Sequence, residues 1–443
     1  DRYAIDTNLR QGAGSKITEL PFTPVLHFAA KDASFMGNLE QCNGCGGCRK
    51  PTPTMCPTFL ATGEDVMATR GRANTIRAVL EGRLDGDSDP LLSAALDTAL
   101  SNCLSCKACT TECPSNVNMA LLKAELLYAR HRKFGVPLSA RLISRVDILG
   151  SLASIAPRLT NASLQWTWLR KLLLHFAGFA MERPLPPYAL ERFDTWFHHR
   201  TGPTIPGERG TVYLWDDCFV RHNEPNIGQA AVKVLEAAGF TVSLLTGRAC
   251  CGRPAFSTGR LDIAKSFGEK NIDLLADSNA PVVFLEPSCY AMFAEDYREL
   301  GIAGAESIAK RCFLFEDFVA DLLSRESDAL AFNETPMQTA IHGHCHAKAL
   351  TGSNTMTTLA QAIPNNDVAM LETGCCGMAG AFGSMAAKSE LSKQVAAPLL
   401  AQVDALDAKT TLVASGTSCR HQITHLGSKA PVHMAELLAE RLR

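Results

Sequence analysis

The sequence lacks any uninterrupted apolar run close to the ~20 residues that a membrane-spanning helix needs. Its nearest candidates, residues 148–157 and 172–181, are short and flanked by charged residues. The first ten residues, DRYAIDTNLR, are polar and charged and show no apolar core of the kind found in secretory signal peptides. These absences argue against an integral membrane or secreted protein. We therefore expect a cytoplasmic protein that is at most peripheral on the inner membrane face.

An excess of charge of either sign is also missing. Lys and Arg together number 43 and Asp and Glu 45, which gives a formal net charge of −2. Such a balanced chain has no general electrostatic attraction for nucleic acid, so no nucleic-acid partner is expected. The abundant residue is cysteine, with 17 in 443 residues. In a reducing compartment cysteines usually serve metal binding or catalysis, so their order along the chain is the informative feature.

Eight cysteines form two groups, each with a C-x2-C-x2-C triplet followed by a Cys-Pro pair. The first group is Cys42, Cys45, Cys48 and Cys56, and the second is Cys103, Cys106, Cys109 and Cys113. This spacing is typical of ferredoxins with two 4Fe-4S clusters, in which the cysteine before proline binds the other cluster. The predicted ligands are Cys42, Cys45, Cys48 and Cys113 for cluster one, and Cys103, Cys106, Cys109 and Cys56 for cluster two. Seven residues rather than the usual three separate Cys48 from Cys56. Structural zinc is the alternative, because C-x2-C pairs also bind Zn²⁺.

Eight further cysteines follow predicted strands in an order that occurs twice. Each set has a single cysteine, then Cys-Cys-Gly, then another single cysteine, and the second set begins 127 residues after the first. The first repeat holds Cys218, Cys250, Cys251 and Cys289, and the second repeat holds Cys345, Cys375, Cys376 and Cys419. Ligands of parallel sheets bind beyond the carboxyl ends of the strands, so we expect four thiols to converge in each repeat as a metal site. Buried structural cysteines or a vicinal disulfide are the alternative.

The pattern predicts an α-helical two-cluster ferredoxin-like domain followed by two duplicated α/β halves with mostly parallel sheets. The expected segments are an extended amino-terminal segment (1–40), the ferredoxin-like domain (41–135), a helical connector and linker (136–210), the first repeat (211–333) and the second repeat (334–443). Within the connector we expect two or three amphipathic helices over residues 138–180, with a break at Pro157.

The two repeats resemble the cysteine-rich CCG domain of heterodisulfide reductase and of iron–sulfur subunits of glycolate oxidase, lactate utilisation and anaerobic glycerol-3-phosphate dehydrogenase. In that family each repeat ends in C-x2-C, whereas Met292 and Gln422 occupy the position of the last cysteine here. Each repeat therefore has four thiols rather than five. The resemblance implies a further iron–sulfur cluster in each repeat, with an empty or partly filled repeat as the alternative.

A wider resemblance covers nearly the whole chain. It is carried by CNGCGGCRK (42–50), CLSCKACTTECPSNV (103–117), HGHCHAKAL (342–350), GCCGMAGAFG (374–383) and SCRHQI (418–423). These segments resemble the carboxy-terminal half of fused flavoproteins, in which an FAD-linked oxidase precedes a 4Fe-4S region and CCG repeats. Members of that family act on D-2-hydroxy acids such as D-lactate or D-2-hydroxyglutarate.

The resemblance implies that this chain is the electron-transfer part of a flavin-linked D-2-hydroxy-acid dehydrogenase, an oxidoreductase that does not oxidise the substrate in this part. FAD would lie in an upstream domain or a partner subunit, and the acceptor would be a quinone or an electron-transfer protein. The resemblance implies a flavin-binding half upstream of Asp1, and a first residue other than Met agrees with this expectation. The alternatives are a stand-alone iron–sulfur subunit of a glycolate, lactate or glycerol-3-phosphate dehydrogenase, a heterodisulfide-reductase-like enzyme acting at the CCG clusters, and a zinc-bound interaction module.

Two groups of residues outside the cysteine motifs have both a structural and a functional interpretation. Arg70, Arg72 and Arg77 follow the first triplet and could hydrogen-bond cluster sulfur, bind a partner's carboxylate or simply form surface ion pairs. Trp166 and Trp168 could lie on a membrane surface, but we expect them in a helix core.

The histidines around Cys345 alternate along the chain. His342, His344 and His346 would share one face of a strand, where hydrogen-bonded packing is a more common role than proton delivery. Cys312 lies in an apolar run and is expected to be a core thiol.

Overall fold

The structure is a computed structural model, and it describes residues 19–29, 32–51, 55–84, 89–202, 207–352 and 354–443. The predicted extended segment therefore falls partly outside the described residues, at positions 1–18 and at 30 and 31. Every cysteine of the four predicted sets lies within them.

The predicted extended segment ends in a helix, so that prediction is wrong at its carboxyl end. Residues 19–29 contain neither helix nor strand, but Phe35–Glu40 forms helix α1. Ser34 explains the start, because its Oγ accepts a hydrogen bond from the backbone N–H of Gly37 (2.9 Å). Phe35 and Leu39 then bury one face of this short helix.

The cysteine triplets lie in a helical region. Its further helices are α2 (Pro57–Thr62), α3 (Thr69–Leu80), α4 (Ala94–Ser101), α5 (Ala108–Thr111) and α6 (Met119–Phe134). Short 3-10 helices form at Gly47–Arg49, Asp65–Met67 and Pro90–Leu92. The Asn118 side chain accepts from the Leu121 N–H (3.2 Å) and caps α6, the buried helix around which this region packs.

The connector forms more helices than predicted. They are α7 (Leu138–Ile143), α8 (Val146–Ala153), α9 (Pro157–Gln165), α10 (Thr167–Ala177) and α11 (Phe193–His199). Pro157 begins α9 instead of only breaking a helix, because the first position of a helix needs no N–H donor. The expectation that Trp166 and Trp168 lie in a core is also wrong, since these side chains are 55% and 66% exposed.

The first repeat contains a four-stranded, fully parallel sheet. Its strands are β1 (Thr211–Trp215), β2 (Thr241–Leu244), β3 (Val282–Phe284) and β4 (Cys312–Leu314), in the order β2-β1-β3-β4. The helices are α12 (Cys218–His222), α13 (Pro225–Ala237), α14 (Arg253–Ser257), α15 (Leu261–Leu275), α16 (Pro287–Ala291), α17 (Tyr297–Glu299), α18 (Ala305–Ala309) and α19 (Phe315–Arg325), with a π-helical turn at Met292–Asp296. Cys312 is a buried thiol in β4, as expected.

The second repeat contains a three-stranded parallel sheet. Its strands are β5 (Met337–Ile341), β6 (Asn366–Met370) and β7 (Thr411–Val413), in the order β6-β5-β7. The helices are α20 (Cys345–Leu350), α21 (Asn354–Gln361), α22 (Ser389–Asp404), α23 (Thr417–Leu426) and α24 (Met434–Arg441), and a 3-10 helix forms at Phe382–Ser384. The two parallel sheets confirm the predicted fold class.

Two large apolar cores join these parts. One contains side chains of the helical region, including α6, together with side chains of the first repeat, and the other is shared by both repeats, where α13 packs against α24. The cysteine-bearing loops therefore lie at junctions between parts of the chain. Among the described helices, none has both the length and the apolarity required to cross a bilayer.

Candidate metal centres

The four cysteines predicted for cluster two surround one cavity. Cys56, Cys103, Cys106 and Cys109 all line it. The longer spacing before Cys56 therefore does not carry this residue away from the second triplet. Thiolates are the usual ligands of 4Fe-4S clusters, so the donor set and the shared cavity fit such a cluster.

Local backbone geometry brings these thiols inward. Ser105 and Lys107 adopt positive φ values of 53° and 63°, which wind the triplet into a tight loop before α5 begins at Ala108. Pro57 begins α2 directly after Cys56, and both residues line the cavity. The spacing of the cysteines therefore positions their thiols through a strained loop rather than through a helix or a strand.

Buried cations surround the cluster-two cysteines. Arg72 Nη1 donates to Cys56 Sγ (3.3 Å), and the same guanidinium donates to the backbone oxygen of Ala99 (2.7 Å). Burial raises the pKa of the Cys103 thiol, but the positive charges of Arg72 and Lys123 outweigh burial and bring its pKa below the ordinary value. The Arg72 side chain thus donates to a cysteine sulfur of the predicted cluster-two set, and its charge stabilises negative charge in the cavity.

The cysteines predicted for cluster one include one exposed thiol. The backbone N–H of Arg70 donates to Cys48 Sγ (3.3 Å), and burial, followed by the nearby thiolates of Cys56, Cys113 and Cys42, raises the pKa of Cys48. Cys45 is exposed, whereas the other three thiols predicted for this cluster are buried.

The proline of the Cys113-Pro114 pair packs beside the first triplet. A Cβ added at Gly47 would lie 3.2 Å from Pro114, the residue that follows Cys113. Arg77 donates to the backbone oxygens of Leu39 and Cys42 and so holds the start of the triplet loop. Pro114 therefore lies beside the first triplet, and the assignment of Cys113 to cluster one stays a prediction.

The first-repeat thiols converge at the carboxyl end of their sheet. Cys289 Sγ lies 2.9 Å from Cys251 Sγ, and Cys250 contacts both Cys251 and Cys218 through sulfur. Burial raises the pKa of Cys289 to about 12. All 17 cysteines are free thiols, so the alternative of a vicinal disulfide does not apply to this structure.

The second-repeat thiols form an equivalent set. Cys375 contacts Cys345 and Cys376 through sulfur, and Cys419 contacts Cys376. Gly377 follows the pair with φ 84°, and an added Cβ would lie 2.4 Å from the backbone oxygen of Ser392, so only glycine fits there. No group of three His, Cys, Asp or Glu side chains in the described parts of the chain is spaced for a single metal ion.

Comparison with known protein families identifies both regions. Residues 38–117 match the 4Fe-4S dicluster domain, and residues 212–294 and 339–424 match the cysteine-rich domain. The chain contains a 4Fe-4S dicluster domain and two cysteine-rich domains. The two matches to the cysteine-rich domain fall on the first and second repeats.

Curated relatives confirm the wider resemblance. One subunit of the anaerobic glycerol-3-phosphate dehydrogenase of Escherichia coli is 26% identical over 396 residues, covering 78% of this chain and 99% of that protein. D-2-hydroxyglutarate dehydrogenase of Pseudomonas putida is 25% identical over 450 residues, covering 90% of this chain and 43% of that protein. The probable glycolate oxidase iron-sulfur subunit of Bacillus subtilis is 24% identical over 439 residues, covering 91% and 94%. The chain is thus similar to nearly all of two iron–sulfur or dehydrogenase subunits and to less than half of a longer dehydrogenase.

Neutral side chains fill the position of the fifth thiol in both cysteine-rich domains. Met292 is fully buried at the start of the π-helical turn. Gln422 is also buried, where its Oε1 accepts from Arg183 Nη1 (2.9 Å) and its Nε2 donates to Ser392 Oγ (3.0 Å). Each domain therefore offers four thiols, as the sequence predicts.

The cluster-two loop contacts the second cysteine-rich domain directly. His346 Nε2 lies 3.0 Å from the backbone oxygen of Ser105, and Cys106 shares an apolar cluster with Cys345 and Cys375. Burial, followed by the negative charge of Cys345, raises the pKa of Cys106. This junction brings the dicluster domain and the second-domain thiols together.

Lys107 ties the same loop to the first cysteine-rich domain. Its buried ammonium group lies 2.6 Å from Glu295 and 3.0 Å from Asp296, which also pairs with Arg253 (2.8 Å). The cysteine pattern did not predict this role. The sequence marks Lys107 only by its charge inside a cysteine triplet. Its role depends on residues almost 190 positions away, which the local pattern does not reveal.

The three histidines do not share a strand face, so that prediction is wrong. Strand β5 ends at Ile341, and His344 instead caps α20 by accepting from the His346 N–H (3.1 Å). His342 Nδ1 lies 2.7 Å from Thr373 Oγ1, and burial lowers the pKa of His342 well below its ordinary value. These contacts fit hydrogen-bonded packing beside the thiols.

Proposed function

We propose that this chain is the electron-transfer part of a flavin-linked D-2-hydroxy-acid dehydrogenase. The observation that carries the proposal is the junction at which the cavity of the cluster-two cysteines meets the thiols of the second cysteine-rich domain. The similarity to dehydrogenase and oxidase subunits supports an oxidoreductase role. Oxidation of the hydroxy acid would take place at FAD, outside the residues described.

Two 4Fe-4S clusters would be held by the predicted ligand sets. Cluster one takes Cys42, Cys45, Cys48 and Cys113, and cluster two takes Cys103, Cys106, Cys109 and Cys56. When bound, such a cluster supplies one-electron redox chemistry, with a potential that hydrogen bonds, charge and burial adjust. Arg72 and the Arg70 N–H supply hydrogen bonds to ligand sulfur, one in each site.

The cysteine-rich domains would each hold a further iron–sulfur cluster through four thiols. The convergence of the thiols at the carboxyl end of each sheet supports this part of the proposal. Lys348 lies among the second-domain thiols, and burial lowers the pKa of its ammonium group despite their negative charge. It would partly neutralise the thiolates.

The order of the sites supports a direction from surface to interior. Cys45 is the exposed thiol of cluster one, whereas cluster two lies against the second cysteine-rich domain. The exposed end suits an FAD-binding oxidase domain or subunit, and the cysteine-rich end suits an acceptor such as a quinone or an electron-transfer protein. A cytoplasmic location with peripheral attachment to the inner membrane face is part of the same proposal, because a quinone acceptor resides in the membrane.

A stand-alone subunit of a glycolate, lactate or glycerol-3-phosphate dehydrogenase is the second candidate. The matches over 99% and 94% of two subunit-length relatives favour it. A heterodisulfide-reductase-like activity fits less well, because Met292 and Gln422 fill the positions of the fifth thiols.

Metal analysis of the anaerobically purified chain tests the proposal. We expect about eight or more iron and acid-labile sulfide atoms per chain, with broad absorbance near ~400 nm. The variant Cys106→Ala should lose the signal of one cluster, whereas Cys312→Ala, which removes a buried thiol outside all four sets, should lose none. Zinc without sulfide, or equal loss in both variants, would refute the assignment.

A further inference from the structure

One face of the connector is apolar and exposed. The segment that includes α8, α9 and α10 contributes ten of the eighteen exposed large hydrophobic side chains among the described residues. The most exposed, which we call the connector face, are Leu152, Ile155, Leu159, Trp166, Trp168 and Phe176. Ile155 is 77% exposed and Leu159 73%. Apolar patches of this kind on a folded protein usually mark an interaction surface.

The opposite side of α8 and α9 is fixed to the body of the protein. Gly150 packs so closely on His222 that an added Cβ would lie 2.8 Å from the imidazole ring. Ser154 Oγ lies 2.9 Å from His222 Nδ1, and Asn161 Nδ2 donates to the backbone oxygen of Tyr188 (2.8 Å). Small and polar residues therefore make the inner contacts, and the large apolar side chains are left outward.

Charge around the connector face is positive. Residues 148–181, which lie between Asp147 in the first turn of α8 and Glu182, contain no Asp or Glu, although the whole chain has 45. They contain Arg158, Arg170 and Lys171, of which Arg158 and Lys171 have exposed side chains. This local charge of +3 contrasts with the net charge of −2 for the whole chain. Basic residues near an anionic bilayer are attracted to its surface.

We propose that the connector face docks on the surface of an anionic lipid bilayer, with α8, α9 and α10 lying in the plane of the interface. Exposed Trp, Phe and Leu side chains beside Arg and Lys are the composition of interfacial helices, and stacked Trp166 and Trp168 rings (6.4 Å apart) suit the headgroup region. The three helices have 8, 9 and 11 residues, too short to cross a bilayer. This inference rests on the peripheral attachment proposed above but not on the electron route.

Vesicle flotation of the full, cluster-loaded chain tests this inference. The probes are phosphatidylcholine vesicles with and without about 30 mol% phosphatidylglycerol. The double variant Ile155→Glu/Trp168→Glu should lower the bound fraction about tenfold on both vesicles, because it places charge in the apolar contact. Arg158→Glu/Lys171→Glu should remove only the part that depends on phosphatidylglycerol. Leu92→Glu, at a side chain that is 52% exposed outside this face, should bind as the unmodified chain does.

Three outcomes would overturn the inference: no flotation of the unmodified chain with either vesicle, equal binding of the Ile155→Glu/Trp168→Glu variant, or an oligomer in sedimentation that this variant dissociates without any vesicle binding. The last result would assign the face to a second copy of the chain. Iron and sulfide content is measured for every variant. Absent clusters with retained flotation would refute the electron-transfer proposal alone, whereas full clusters without flotation would refute this inference alone.

Discussion

Replacing Arg72 by methionine should lower the reduction potential of cluster two. Arg72 is 2% exposed, and its Nη1 lies 3.3 Å from Cys56 Sγ, so its positive charge lies beside the proposed ligand. Reduction adds negative charge to the cluster, and a nearby cation stabilises the reduced form more than the oxidised form. Methionine keeps a long side chain in the buried space but removes the charge and the hydrogen-bond donors.

The expected shift follows from Coulomb's law. With an effective dielectric constant of about 20, two unit charges interact by ~4 kcal/mol at ~4 Å and by ~2 kcal/mol at ~8 Å. The added electron is shared over the cluster, so the longer distance is the relevant one. Because ~1.4 kcal/mol corresponds to ~59 mV for one electron, the loss of ~2 kcal/mol predicts a potential lower by ~90 mV.

Redox titration followed by electron paramagnetic resonance measures the shift for each cluster separately. Arg72→Lys retains the charge and should shift cluster two by less than half as much, although it loses the forked hydrogen bonds to Thr58 and Asn102. Arg83→Met, at an exposed side chain, is the control and should leave both clusters unchanged. An unchanged or higher cluster-two potential in Arg72→Met, with both clusters present, would refute the reasoning.

Two further predictions concern buried charge. Lys107→Met should lower the free energy of unfolding by about 3 kcal/mol, because Glu295 and Asp296 lose a buried partner. The control is Lys310→Met, at an exposed side chain, and equal denaturation midpoints for the two variants would contradict this prediction. Burial raises the pKa of Glu316 to about 7. The contribution of this carboxyl to the free energy of unfolding, ~3 kcal/mol, is therefore fully present below pH ~4.5 and is lost as the pH rises to ~7. Glu316→Gln should flatten the stability profile between these pH values, and an unchanged slope would contradict the assignment.

The sequence predicted the parts of the fold that depend on local pattern. The sequence predicts that Cys218 and Cys289 follow strands, and strands β1 and β3 precede them, because apolar runs followed by turn residues favour buried parallel strands. Strand β4 was not recognised, since its three residues, Cys312–Leu314, are too short for a periodic signal. The strand expected around His342 also failed, because the chain turns into the cap of α20 soon after β5 ends.

The candidate site was predictable in its donors but not in its surroundings. The spacing of the cysteines predicts which thiols belong to one set, because the geometry of a cluster constrains the loop that wraps around the cluster. The contact between Ser105 and His346 joins residues 241 positions apart, and no short motif encodes it. The exposure of Trp168 could not be predicted either, because an apolar stripe along a helix has the same sequence pattern whether it faces a core or the outside.

The two cysteine-rich domains differ in how they meet the cluster-two loop, and this difference assigns them different roles. The first domain holds the loop through the ion pairs of Lys107 with Glu295 and Asp296, which lie after its thiol-bearing helix. The second domain meets the loop through its own ligand-set residues Cys345 and Cys375, which share an apolar cluster with Cys106. Ion pairs position the loop, whereas adjacent cysteines shorten the distance between two proposed clusters. The duplicated halves are therefore not equivalent, and the second one is the expected recipient of electrons from the dicluster domain.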